Sequence, residues 1–101
     1  MELLIITAVH AYEKDIKRLL KKHEVKSFSY LNVTGYKDMS LESKDDNWFA
    51  TSAGENRSTL FYVFIEQSKV DEVLAAMAGF NEGQDSESHV HAVSVNVNKS
   101  I

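Results

Sequence analysis

The sequence predicts an α+β domain in which two β-α-β units share one antiparallel sheet. Three observations lead to this prediction. The chain has 101 residues, a length that suits a single domain with one core. Apolar segments with the composition of strands alternate twice with segments of helical periodicity. The order of these segments along the chain is β-α-β followed by β-α-β.

The first unit begins with residues 3–9, a short apolar segment rich in β-branched residues that predicts a buried strand. From Ala11 the apolar residues recur at helical spacing and form one face, while charged side chains cover the other. The apolar face consists of Tyr12, Ile16, Leu19, Leu20 and His23. Residues 25–36 then predict the second strand, which is followed by a long polar segment at about 37–56.

The second unit begins with residues 59–65, the most strongly apolar strand segment of the chain. Ser68, with Asp71 three residues later, predicts the start of a helix with a capping serine. Gly79 or Gly83 is expected to end that helix. The final strand is predicted at residues 89–98, where alternate side chains share one face of the sheet. These are His89, His91, Val93, Val95 and Val97.

This order of elements predicts a ferredoxin-like split β-α-β fold, βαββαβ, with sheet order 4-1-3-2 and both helices on one face. Residues 3–6 of the first predicted strand and 60–65 of the third are apolar on both faces, although helices cover only one. We therefore expect another copy of the chain to cover the second face, with the sheets packed inward. A monomer with a large exposed apolar patch is the alternative.

Composition and charge exclude several classes of protein. The chain has no cysteine, which excludes a disulfide scaffold, a thiolate metal site and a cysteine nucleophile. Its 15 acidic against 11 basic residues argue against a nucleic-acid binder. The longest apolar run is too short to span a membrane and lacks the basic flank of a signal peptide. We expect a single cytoplasmic domain over residues 1–101, without direct membrane insertion.

Two segments resemble the PII signal-transduction proteins. One is Asn-Val-Thr-Gly-Tyr at 32–36, which precedes the long polar segment as Val-x-Gly-Phe-Gly precedes the T-loop of PII proteins. The other is Val-Asp-x-Val at 70–73, after an apolar strand. The resemblance implies a homotrimer and a regulatory protein whose loop contacts a target, plausibly a membrane transporter. It also implies that Gly35 forms a structural turn. CutA is a structurally similar trimeric family.

The loop before the last predicted strand departs from the PII pattern. PII proteins use a glycine- and lysine-bearing loop there to bind adenine nucleotides. Residues 80–88 of this chain contain one glycine, three carboxylates and no cation. Because lysines and free backbone amides hold phosphate and carboxylates repel it, ATP is not expected to bind. The segment at 37–56 is shorter than a T-loop and lacks its Tyr-Arg-Gly, so uridylylation is not expected either.

Three of the four histidines form a candidate metal site. His89 and His91 are two residues apart on a predicted strand, and so are expected on the same face. The sheet order brings them beside the end of the first strand, where His10 follows. Three imidazoles suit zinc, copper or nickel. Alternatively, His89 and His91 are polar residues at the rim of the sheet, and His10 begins the helix.

The polar segment at 37–56 contains one adjacent aromatic pair, Trp48 and Phe49. Aromatic side chains dominate the energetics of protein interfaces and are costly to leave in water. Together with Tyr36 they are the predicted partner-binding residues. Alternatively, the pair folds back onto its own trimer.

The sequence favours a regulatory or sensor protein over an enzyme. It contains no Gly-x-Ser-x-Gly, no phosphate-binding loop and no His-Glu-x-x-His. We expect a PII-like protein that binds a small ligand or a divalent metal ion. One alternative is a CutA-like divalent-metal-binding protein without a protein target. Another is a cofactor-free ferredoxin-like monooxygenase with Asn47, Trp48 and a histidine beside an apolar pocket.

Overall fold

Four antiparallel strands and two helices build the computed structural model of the chain, which describes residues 1–36, 55–85 and 87–101. The elements are β1 (Glu2–Val9), α1 (Glu13–Lys22), β2 (Ser29–Tyr36), β3 (Glu55–Ile65), α2 (Gln67–Glu82) and β4 (His91–Asn96). A single 3₁₀ turn at His10–Tyr12 connects β1 to α1.

The sheet has the order β2-β3-β1-β4, which is the predicted 4-1-3-2 order seen from the other edge. β1 lies in the middle and pairs antiparallel with both β3 and β4. Its register places Leu4 opposite Val63 and Ile6 opposite Phe61. The predicted ferredoxin-like α+β fold is therefore confirmed.

The core lies between the sheet and the two helices. Alternate residues of β1 and β3 point towards the helices and are buried, as period-2 strands require. The helices contribute the other side of the core. The principal buried side chains are Leu4, Ile6, Phe61, Val63, Ile16, Leu20, Val70, Val73 and Met77. Each large one stabilises the fold by about 1.5–3 kcal/mol relative to an exposed position.

The opposite face of the sheet has no helix, and its side chains are also apolar. Phe64, Tyr62, Val93 and Val95 are 60%, 40%, 54% and 49% exposed in the single chain. Leu3 and Ile5, which are opposite these residues on β1, and the cross-strand pair of Leu31 and Leu60 extend the same surface. We call this surface the helix-free face. The expectation that the central strands are apolar on both faces is confirmed.

Two strand boundaries differ from the sequence prediction. β2 begins at Ser29 rather than at residue 25 because the chain that follows α1 is still hydrogen-bonded to the last turn of that helix. The amide of Val25 donates to the carbonyl of Leu20, and Glu24 takes a positive φ of 61°. β3 begins at Glu55 rather than at residue 59, since its first residues pair one by one with the end of β2.

The ends of α2 and of β4 also differ in part. α2 begins at Gln67, and no side chain caps its first turn, so the predicted capping role of Ser68 is wrong. Gly83 ends the helix, as one of the two predicted glycines. β4 covers only His91–Asn96, which leaves His89 before the strand.

The side chain of Asn81 joins the end of α2 to the start of β4. Its Nδ2 donates to the carbonyl of Val90 at 2.9 Å, and its Oδ1 accepts from the amide of Val90 at 2.7 Å. This two-way bond copies the pairing that a neighbouring strand would give. It therefore fixes the backbone of Val90, which is buried, just before β4.

A polar contact joins the C-terminal end of α1 to α2. Nδ1 of His23 lies 2.7 Å from Oε2 of Glu72, and Nζ of Lys69 lies 3.6 Å from Oε1 of the same carboxylate. The hydrogen bond with His23 is the main cause that lowers the pKa of Glu72, and Lys69 adds to it. The two helices are thus held side by side on the sheet.

A polar contact connects α1 to β3 beneath the helix. The hydroxyl of Thr59, a fully buried side chain, donates to Oε1 of Glu13 at 2.9 Å. Nζ of Lys17 lies 3.3 Å from Oε2 of Glu13 and 3.9 Å from the centre of the Tyr30 ring. The bond from Thr59 is the largest cause that lowers the pKa of Glu13, followed by Lys17 and then His10.

We predict that Thr59→Val lowers the free energy of unfolding at neutral pH and that the loss shrinks in acid. A carboxyl group with a lowered pKa in the folded protein stabilises it above the ordinary pKa of 4.5. That stabilisation disappears as the pH falls through the lowered value, because both states are then protonated. Denaturant unfolding of wild type and variant from pH 7 to pH 3 measures the difference.

Thr34→Val is the matched control, because Thr34 is an exposed threonine on the same side of the neighbouring strand. Its effect on the free energy of unfolding should be small and should not depend on pH. A Thr59→Val loss that stayed constant across the acid range would contradict the role given to the Glu13 carboxylate.

Candidate functional site

A cleft of about 690 Å³ lies at the edge of the sheet where β2 ends and β4 begins. The last residues of β1 and β2, the first of β3 and the segment before β4 line it. The register brings these termini together, since Val9 is opposite Ser58, Gly35 is opposite Asn56 and Thr7 is opposite His91. The cleft is thus a product of the sheet topology.

Gly35 does not form the turn that was expected of it. It lies inside β2, and no glycine in the described part of the chain has a positive φ. A Cβ at this position would lie 3.3 Å from Oγ of Ser58, which is tighter than ordinary van der Waals contact. Glycine therefore permits the close approach of β2 to β3 at the wall of the cleft.

Two of the three predicted metal ligands line this cleft. His89 and His91 are both exposed there, together with Glu87. His89 precedes β4, so strand alternation does not align it with His91 as the sequence predicted. The two imidazoles share the cleft because the chain enters β4 along its wall.

His10, the third predicted ligand, is not among the residues that line the cleft. Its Nδ1 lies 3.6 Å from Oε1 of Glu13 and 3.5 Å from Oγ1 of Thr59, a residue on the helix side of the sheet. Among residues 1–36, 55–85 and 87–101, no three His, Asp or Glu side chains are grouped to hold a metal ion. The structure therefore does not bring His10 together with His89 and His91, and metal binding at these residues stays a prediction.

The charge of the cleft distinguishes possible ligands. Glu87 is the only carboxylate among the described residues that line it, and none of those residues is lysine or arginine. Phosphate is held in proteins by cations and free backbone amides. The described wall therefore suits a cation or a neutral polar ligand better than a phosphate group.

One of the three predicted partner-binding residues lies at this cleft. Tyr36 ends β2, lines the cleft and is 75% exposed. Trp48 and Phe49 lie outside the described residues. Sequence reasoning missed Asn56 and Ser58, which also line the cleft, because it assigned them to the region before β3. Residues 55–58 are all polar, so hydrophobic alternation gives no signal that extends the strand through Asn56 and Ser58.

A helix that crosses a bilayer must be long and apolar, and neither helix in the described part of the chain meets this requirement.

Comparison with known proteins gives matches only at the level of structure. No protein-family model matches the chain, and no curated protein sequence does. CPII, a nitrogen regulatory PII-like protein from Thiomonas intermedia K12, superposes with a TM-score of 0.61 at 16% identity. The match covers 97% of this chain and 94% of CPII, which was solved bound to ADP, AMP and bicarbonate.

Two further structures agree with this match. TTHA0516, a putative PII-like signaling protein from Thermus thermophilus, has a TM-score of 0.64, 18% identity and coverage of 95% of this chain and 85% of its own. A DUF3240 family protein from Shewanella baltica has a TM-score of 0.68, 16% identity and coverage of 98% and 91%. The chain thus has the fold of PII-like proteins over almost its whole length.

Proposed function

We propose that this chain is a PII-like regulatory protein and not an enzyme, which binds a small ligand in the cleft and signals through residues 37–56. One observation carries the proposal. The fold matches PII-like proteins over nearly the whole chain, and the cleft lies where the segment 37–56 leaves the sheet.

The position of the cleft gives a physical route from ligand to partner. Gly35 and Tyr36 line it at one end of the undescribed segment, and Asn56 lines it close to the other end. A ligand in the cleft therefore contacts both ends of that segment. If it binds one arrangement of those ends more tightly than another, it shifts the population of the segment towards that arrangement.

The ligand proposed for the cleft is a divalent zinc, copper or nickel ion bound by His89 and His91. CPII was solved with ADP, AMP and bicarbonate. The described wall of the present cleft contains Glu87, His89 and His91 but no lysine or arginine. A nucleotide needs such cations to hold its phosphate groups. ATP is therefore not the proposed ligand. Imidazole nitrogens are ligands that these metals accept.

The protein is proposed to act as a homotrimer whose sheets pack inward. The helix-free face carries Phe64, Tyr62, Val93 and Val95 at exposures between 40% and 60%, although apolar patches of this extent are costly in water. Burial of this face against two further copies removes that cost. The helices then lie on the outside of the assembly.

The partner is proposed to be a protein, plausibly a membrane transporter, that Tyr36, Trp48 and Phe49 contact from the cytoplasm. Tyr36 is already exposed at the base of the segment, as a contact residue must be. A CutA-like divalent-metal binder without a protein target is the second candidate, and it is favoured by the same two histidines. Loss of metal binding with no effect on a partner would distinguish it.

We predict that the wild type has about three times the 11.4 kDa chain mass in solution and that Phe64→Glu dissociates it. A carboxylate at the centre of a packed apolar interface loses its hydration without gaining a partner. Light scattering coupled to size-exclusion chromatography measures both masses. Asn32→Glu is the control, because Asn32 is exposed on the helix side of the sheet and its substitution should leave the trimer intact. A wild type that is a stable monomer at micromolar concentration would remove the trimer from the proposal.

We predict that the protein binds Zn²⁺, Cu²⁺ or Ni²⁺ and that His89→Ala with His91→Ala weakens the affinity by roughly tenfold or more. Isothermal titration of each metal alone into wild type and variant measures the change. His23→Ala is the matched control, because His23 pairs with Glu72 far from the cleft and should leave metal affinity unaltered. Equal metal affinity in wild type and double variant would exclude the cleft as the metal site.

We predict that the fluorescence of Trp48, the single tryptophan of the chain, reports an exposed indole that becomes shielded when a partner binds. Emission of the free protein should be red-shifted and readily quenched by acrylamide. Trp48→Ala should reduce capture of the partner from detergent-solubilised membranes. Blue-shifted emission that acrylamide does not quench in the isolated protein would instead indicate that the pair packs on its own trimer.

A further inference from the structure

The outer face of α1 is strongly basic in a chain of acidic balance. The helix contains five basic and two acidic residues, a net charge of +3, whereas the whole chain has -4. Four of the basic side chains are exposed, and Lys17 is half-buried beside Tyr30. We call this surface the basic face of α1: Lys14, Lys17, Arg18, Lys21 and Lys22.

These cations repel one another along the helix. Lys14–Arg18, Lys17–Lys21 and Arg18–Lys22 are like charges four residues apart, a spacing that destabilises a helix. Only two contacts oppose this within the helix, Lys17 with Glu13 at 3.3 Å and Arg18 with Asp15 at 3.4 Å. The remaining three lysines form no ion pair with the residues that the structure describes.

Helix capping does not account for the whole face. The helix dipole favours cations in the last turn, which explains Lys21 and Lys22. Lys14 lies in the first turn, where the dipole favours anions instead. The charge of Lys14 therefore gains neither from the dipole nor from an ion pair with the described residues, which marks a surface shaped in part by another requirement. An anionic partner would relieve the repulsion.

The neighbouring helix limits the shape of that partner. α2 has one basic and three acidic residues, and Asp71, Glu72 and Glu82 are exposed. His23 and Glu72 hold the two helices side by side, and packed helices lie about 8–10 Å apart. A flat anionic bilayer or a wide nucleic acid would meet the acidic helix as well. A single acidic polypeptide segment is narrow enough to contact α1 alone.

We propose that the basic face of α1 binds an acidic segment of a partner protein. The nine residues from Lys14 to Lys22 extend over about 12 Å of helix, which matches about four residues of an extended chain. None of these basic residues lines the cleft, so the proposal does not depend on the function proposed above.

The experiment uses a fluorescein-labelled octaglutamate peptide and the full-length protein. Fluorescence anisotropy at low ionic strength is compared with the same titration at about 0.15 M salt, where exposed charges are screened. Lys14→Gln with Lys21→Gln should weaken binding about fivefold or more, because two exposed charge contacts are lost. Lys69→Gln with Lys99→Gln removes the same net charge outside the basic face and should retain wild-type affinity.

Thermal unfolding of the single variant Lys14→Gln tests whether this lysine serves stability instead. Relief of like-charge repulsion in the first turn predicts that Lys14→Gln unfolds at the wild-type temperature or above it, while peptide affinity falls. Three results would overturn the proposal: no peptide binding by the wild type at low salt, equal affinity in the double variant, or a lower unfolding temperature of Lys14→Gln. Tighter binding to phosphatidylserine vesicles or to oligothymidylate than to the peptide would also overturn it.

Discussion

The pairing of β1 with β3 is the constraint on which the rest of the structure depends. Both strands are apolar on both faces, and their register places eight residue pairs opposite each other in the middle of the sheet. Two helices bury one side of this pair, and no described element covers the other. In the described part of the chain the helix-free face is therefore left uncovered, and residues at one end of all four strands line the cleft.

The fold was predictable from the sequence because the spacing of apolar residues determines the type and order of the elements. The element boundaries were less predictable because hydrogen-bond pairing between strands determines where each strand begins. Continuous apolar segments identified β1 and β3, and the order of strands and helices along the chain predicted the order of the sheet. The polar residues Asn56 and Ser58 belong to β3 because β2 supplies their hydrogen bonds, a fact that composition does not contain. Ser68 had the pattern of a helix cap, but the helix begins one residue earlier and leaves it in the first turn.

The candidate site was predictable only where topology decides it. The sheet order alone brings the start of β4 to the end of β1, so His89 and His91 were correctly placed at the edge of the sheet. His10 follows β1 directly, and its side chain turns to the helix side, where Thr59 and Glu13 provide polar contacts. The direction of a side chain in a single 3₁₀ turn depends on such tertiary contacts, which sequence spacing does not reveal. Nothing in the spacing identifies the ligand either.

The two hydrogen bonds between Asn81 and Val90 fix the start of β4 without using the residues of the connector that line the cleft. Because a side chain of α2 anchors Val90, the register of β4 does not depend on the connector that carries Glu87 and His89. Surface connectors of this kind tolerate substitution and insertion when their ends are held. Substitutions at Glu87 and His89 can therefore change the lining of the cleft while the start of β4 stays anchored at Val90.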